Sequence, residues 1–185
     1  MKTFKTVKTV LSSVAVVLLT VCAAQADVTV PWRVTGEGSF STGLPVVPDL
    51  SVDYFGSGHG SQIGRYTGGG LFRLLSFNAA DGTGTFDGSF VFVTPDGDLL
   101  ATNVVSPGAF TVLTAPSGNV IASFVFQLIP NPAHSTGRFA KVTGGSLLIA
   151  ATSAPFLLTV SVDGHTPPFT YTWAGDGSLV FAKGQ

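Results

Sequence analysis

Apolar and polar residues alternate with period 2 over much of the chain. Phe86, Phe90 and Phe92 share one face of the run Thr85–Val93, and Ala122, Phe124, Phe126 and Leu128 oppose Ile121, Ser123, Val125 and Gln127. Phe169, Tyr171 and Trp173 fall on one face, with Thr170 and Thr172 on the other. Period 2 marks a strand with one buried face. Turn-forming residues punctuate these runs at Gly56-Ser57-Gly58, Asp81-Gly82, Pro95-Asp96-Gly97, Ser117-Gly118-Asn119, Asp163-Gly164 and Asp176-Gly177. Strands are predicted over 30–40, 64–78, 85–94, 98–105, 109–114, 120–129, 142–151, 156–163, 168–174 and 177–183. Short strands with regular turn signals predict an all-β domain, a single antiparallel β-barrel or, as the alternative, a β-sandwich. Gly68-Gly69-Gly70 reads as a sharp bend or bulge at a barrel corner, since no Lys-Ser/Thr follows to complete a phosphate loop.

The N-terminus has a different pattern. Lys2, Lys5 and Lys8 precede an apolar run, Val10 to Val21, and Ala24-Gln25-Ala26 has the small-x-small form of a cleavage site. These are the three parts of a secretory signal, which predicts export to the periplasm or the medium and a mature chain beginning at Asp27. Lipidation at Cys22 is the less favoured reading, because Val21 occupies a position that calls for a small residue. The domain is thus expected over residues 27–185, with no transmembrane segment, no cysteine and no disulfide.

Charge narrows the function classes. Residues 27–185 hold six basic against ten acidic side chains, a formal charge of −4, with no basic stripe. Nucleic-acid binding depends on clustered Lys and Arg, so it is not expected. The histidines His59, His134 and His165 lack metal-site spacing, so no metal or cofactor is expected. Asp163-Gly164-His165 reads as a hairpin turn with an exposed histidine at its flank, and Asp96-Gly97-Asp98 as a solvated turn rather than a calcium loop. Gly58-His59-Gly60-Ser61-Gln62 has its glycines at the wrong offsets for a nucleophile elbow.

Gly58-His59-Gly60-Ser61-Gln62-Ile63-Gly64-Arg65-Tyr66-Thr67 resembles the G-x-A-[ST]-H-L-G-[RK]-[FY]-T segment of a family of secreted bacterial proteins of unknown function. Ser135-Thr136-Gly137-Arg138-Phe139-Ala140, continued by Val142-Thr143-Gly144-Gly145-Ser146, is similar to that family's G-T-G-R-F-x-x-x-T-G segment. The resemblance implies a barrel of the calycin type, like that of allene oxide cyclase and dirigent proteins, over about Gly36 to Phe181. The family's histidine falls on Gln62 here, with His59 three places earlier, which puts any chemistry needing that histidine in doubt.

Arg65 and Arg138 stand out in a chain with so few charges. Each follows a glycine and precedes an aromatic residue. Arg138 is expected to brace carbonyls of its turn. Arg65, with His59 and Gln62 nearby, is the better candidate to hold an anion through two parallel bonds. The ligand-binding candidates are therefore Arg65, His59, Gln62 and Arg138, with no catalytic residue. The expected function is non-enzymatic binding of a small apolar or weakly anionic ligand, or of a protein partner. An isomerase or cyclase working in the barrel cavity and a structural or adhesive envelope protein are the alternatives.

Overall fold

The structure is a computed structural model and describes residues 26–183 apart from Pro48 and Ser106. The expected leader lies outside the described residues, as do Cys22 and all of the cleavage site but Ala26. Nine strands follow in chain order: β1 (Val28–Phe40), β2 (Ser51–Gly60), β3 (Gly64–Asn78), β4 (Thr83–Val93), β5 (Leu99–Val104), β6 (Gly108–Thr114), β7 (Val120–Pro130), β8 (Val142–Ser153) and β9 (Thr170–Phe181). Two single-turn 3-10 segments, Pro132–His134 and Gly137–Phe139, link β7 to β8. Among the described residues no helix is long and apolar enough to cross a membrane.

All nine strands join one antiparallel sheet that closes into a ring. The order around it is β3-β2-β1-β9-β8-β7, then β5 and β6 side by side in sequence but end to end in space, then β4, which returns to β3. β5 and β6 share one place because β4 and β7 each pair with β6 along one half and with β5 along the other. The ring therefore has eight positions at any height, a size at which side chains just fill the interior. Closure into one sheet excludes the sandwich.

The inner face alternates large rings with glycines. A Cβ on Gly36 or Gly56 would come within 2.3 Å of the Trp173 ring, on Gly68 within 2.6 Å of the Phe90 ring, and on Gly84 within 2.3 Å of the Phe110 ring. Each missing side chain makes room for an aromatic ring from another strand. Phe40 lies within 6 Å of Tyr54, Phe72, Phe124, Phe169 and Tyr171, and Phe72 stacks on Phe86 at 4.6 Å. Such pairs add about 0.5–1.5 kcal/mol each beyond area burial.

This interdigitation explains where the structure departs from the sequence reading. Gly56-Ser57-Gly58 and Asp176-Gly177 are not turns. They lie within β2, for which no strand is predicted, and within β9, which runs unbroken where two strands are predicted. Their glycines serve close packing, as do Gly68 and Gly70, which sit in the middle of β3 rather than at a corner. The irregularity of β3 falls instead between Leu74 and Ser76. The predicted strand over 156–163 does not form. Only Phe156 pairs, by a single bridge to Val120. The remaining turn signals hold, with Gly82, Gly97, Gly118 and Gly164 at φ of 71°, 85°, 82° and 84°, the left-handed region that glycine adopts without strain.

The chain contains three tyrosines, and all point their hydroxyls at backbone carbonyls: Tyr54 to Ser89 at 3.0 Å, Tyr66 to Thr35 at 3.1 Å and Tyr171 to Phe55 at 3.4 Å. Burial pushes the Tyr66 hydroxyl up to about 12, against the opposing pull of the Trp173 N–H that it accepts at 3.0 Å. Burial raises Tyr54 and Tyr171 further, Tyr171 also through its two neighbouring tyrosines. A phenol raised in the folded state contributes stability that is complete below its unfolded value near 10 and is lost as pH climbs through the folded value. The tyrosine contribution to stability is therefore expected to be flat up to about pH 10 and to fall away above it. Absorbance at 295 nm should show no tyrosinate until the protein unfolds. Tyrosine ionising near its ordinary value in the folded state would contradict this packing. Gly56→Ala forces a methyl group into Trp173 and should cost about 1–3 kcal/mol by chemical denaturation.

Candidate functional site

The interior offers little room. A cavity of about 50 Å³ lies among Tyr54, Phe90, Phe124, Ile149, Tyr171 and Trp173. Pockets for drug-sized ligands run to about 300–1,000 Å³. The tyrosine hydroxyls and the Trp173 N–H are engaged as above, so they point at protein partners rather than into free space.

The two segments that carry the family resemblance meet at one end of the ring, where β2 turns into β3. Arg138 donates from Nη2 to the Ile63 carbonyl at 2.6 Å, its Nε lies 3.4 Å from Asp98 Oδ2, and its guanidinium sits 5.1 Å from the centre of the Phe139 ring. Ile63 and Phe139 are both buried. Gly137, at φ 58°, passes so close to the Asp98 carboxylate that a Cβ there would have to displace it. Arg138 thus ties the β7–β8 connection to the β2–β3 turn; the carbonyl it braces belongs to that turn and not to its own. Gln62 has a similar local duty: its Nε2 donates to the Pro31 carbonyl at 3.0 Å, beside Ser61, whose hydroxyl accepts from the Arg33 amide at 3.0 Å.

Arg65 and His59 face each other across β3 and β2, both exposed on the outer side of the sheet. Of the four arginines, Arg33, Arg73 and Arg138 each pair with an aspartate: Asp176, Asp87 and Asp98. Arg65 has no ion pair or side-chain hydrogen bond among the described residues. It lines an open groove of about 790 Å³ with His59, Glu37, Thr35, Ser57 and Thr67. The register explains this lining. Thr67, Ser57, Glu37, Thr172, Thr152, Ser123 and Thr111 are successive cross-strand partners, a belt of hydroxyls broken only by Glu37. Sequence reasoning isolates Arg65 and His59 as unusual side chains. It misses the belt, because the members come from seven strands and threonine on the outer face of a strand is unremarked in any one of them. The structure thus brings Arg65 and His59 together, and assigns Gln62 and Arg138 to turns at the same end.

His165 departs from expectation. It is 7% exposed rather than the open flank of a turn. Its Nε2 lies 3.5 Å from Asp49 Oδ2 and its Nδ1 3.9 Å from Asp163 Oδ1, and its backbone bridges Pro45. It fastens the 154–169 connection against the loop after β1. No group of three or more side chains able to hold a metal occurs among the described residues. Compared with known protein families, with curated proteins and with solved structures, the chain shows no match.

The two arginines should separate cleanly. Arg138→Ala removes a charged hydrogen bond to a carbonyl and should lower stability by about 1.5–3 kcal/mol. Arg65→Ala should leave the melting temperature nearly unchanged. A large loss of stability in Arg65→Ala would make that residue structural too.

Proposed function

We propose that the protein is an exported, non-enzymatic binding protein that holds a weakly anionic ligand on the outer face of β1, β2 and β3. The observation that carries this reading is Arg65, the arginine without an acidic partner among the described residues, set beside His59 in the 790 Å³ groove. Arginine binds a carboxylate through two parallel hydrogen bonds. The surrounding Thr35, Ser57 and Thr67 hydroxyls both donate and accept, which suits a ligand carrying hydroxyl groups as well as the anion. Glu37, on the far side of the groove, disfavours a ligand with many negative charges. A carboxylated sugar meets these requirements.

The 50 Å³ interior makes the outer face a better place for a ligand than the cavity that an apolar binder or a cyclase needs. A protein partner is the second reading, favoured by the exposed apolar side chains at the opposite end of the ring.

A thermal-shift series with glucuronate oligomers, neutral glucose oligomers and sulfate, at constant ionic strength, tests the reading. Stabilisation by the uronates alone, lost in Arg65→Ala and weakened in His59→Ala, is the expected result. Stabilisation that survives Arg65→Ala would remove the groove as the site.

A further inference from the structure

We infer that the Arg65 groove continues along the sheet into a second subsite, where a neutral sugar ring stacks on Phe55, so that the ligand is an oligosaccharide carrying one acidic unit. The inference rests on the uronate reading of Arg65 and extends it by naming what occupies the next stretch of the same face.

The register lays the two subsites end to end. Outer-face residues of β2, β3 and β1 fall in three rows: His59 with Arg65 and Thr35, then Ser57 with Thr67 and Glu37, then Phe55 with Gly69 and Ser39. The first two rows line the groove of about 790 Å³. A second open groove, of about 860 Å³, takes up Glu37, Ser57, Phe55 and Ser39 and extends over β9 and β8 to Thr170 and Thr152. The two grooves share Glu37, Ser57 and Thr172. From His59 to Phe55 is four residues of extended chain, about 13 Å, more than a single sugar ring covers.

Phe55 is an aromatic side chain with no place in the core. It is 55% exposed. Phe77, also exposed, stacks on Phe110, whereas Phe55 has no ring partner among the described residues. Gly69 explains how the Phe55 ring is held. Gly68 and Gly70 face inward, where the rings of Phe90 and Tyr54 take their space. Gly69 faces outward, and a Cβ on it would lie 3.1 and 3.3 Å from two carbons of the Phe55 ring. The ring therefore leans across β3, over backbone that carries no side chain, and presents its exposed part to the groove.

A pyranose has an apolar face of C–H groups and a rim of hydroxyls. The second groove has the same division. The Phe55 ring is its apolar platform, and the hydroxyls of Ser39, Ser57, Thr170 and Thr172 stand around it. None of these four hydroxyls makes a side-chain hydrogen bond among the described residues, so each is open to donate and to accept. Among the described residues no lysine, arginine or histidine lines this groove, and Glu37 stands between it and Arg65. The unit on Phe55 is therefore neutral. A wholly apolar ligand fits less well, since it would strip water from the hydroxyls and from Glu37 without replacing those hydrogen bonds.

Isothermal titration calorimetry with glucuronate and with glucuronosyl-cellobiose tests the inference. The trisaccharide should bind the wild-type protein roughly tenfold tighter than glucuronate, the gain of one aromatic contact. Phe55→Ala should lose that gain while leaving glucuronate affinity and the melting temperature nearly unchanged. Phe55→Leu, which still covers Gly69 but offers no ring face, should lose it as well, and Phe55→Trp should keep it. Arg65→Ala should weaken both ligands. A trisaccharide no tighter than glucuronate, or a gain that survives Phe55→Ala, would overturn the Phe55 subsite and leave the Arg65 reading standing. Cellotriose binding that depends on Phe55 and is equal in Arg65→Ala would overturn the Arg65 reading and, with it, the single acidic unit. Absence of binding by all three sugars would overturn both.

Discussion

The fold depends on the fit between inward-facing glycines and the aromatic rings that occupy their space. A ring of eight strand positions has an interior only as wide as its own side chains require. Filling it with rings on every strand would overpack it. Trp173 against Gly36 and Gly56, Phe90 against Gly68, and Phe110 against Gly84 resolve the conflict in pairs. Each pair joins different strands, so the packing fixes register as well as volume. A slip of one residue would move one strand's inward-facing set to the outer face and break every such fit.

The same packing decides where function can reside. An interior closed around 50 Å³, with its tyrosine hydroxyls committed to backbone carbonyls, leaves the surface to carry recognition. The surface is polarised between the two ends. One is sealed by buried side chains and by Arg138, which joins two distant chain segments, and next to it stands the hydroxyl-lined groove with Arg65. The other is closed by the Phe156–Phe169 stack, whose connecting segment turns its apolar residues outward.

Arg138 and Arg65 show how one local motif serves two ends. Both sit between a glycine and an aromatic residue. The glycines before them, Gly137 and Gly64, are both left-handed, but Arg138 lies in a connection that folds over the ring, so its guanidinium meets the Ile63 carbonyl and Asp98. Arg65 opens a strand, where alternation turns its side chain outward beside His59. Sequence neighbours supply the residue type, while the path of the backbone supplies its partners.

The alternation in Thr85–Val93 and in Val120–Pro130 is local, and it settled by itself that this is an all-β protein with an aromatic inner face. The glycine turns at 82, 97, 118 and 164 were likewise legible, because a left-handed φ is a property of the residue. What only the tertiary structure decided was the meaning of glycines inside strands and the fate of strands without partners. Gly56, Gly58 and Gly177 have the composition of turns, but the Trp173 ring and the Thr35 and Ser146 carbonyls, all far along the chain, require a residue without a side chain there. Leu157–Val160 has the composition of a strand but makes no backbone hydrogen bond among the described residues, and the chain then turns at Val162-Asp163. Conformational preference is written residue by residue, whereas pairing is a relation between segments that only the closed ring brings together.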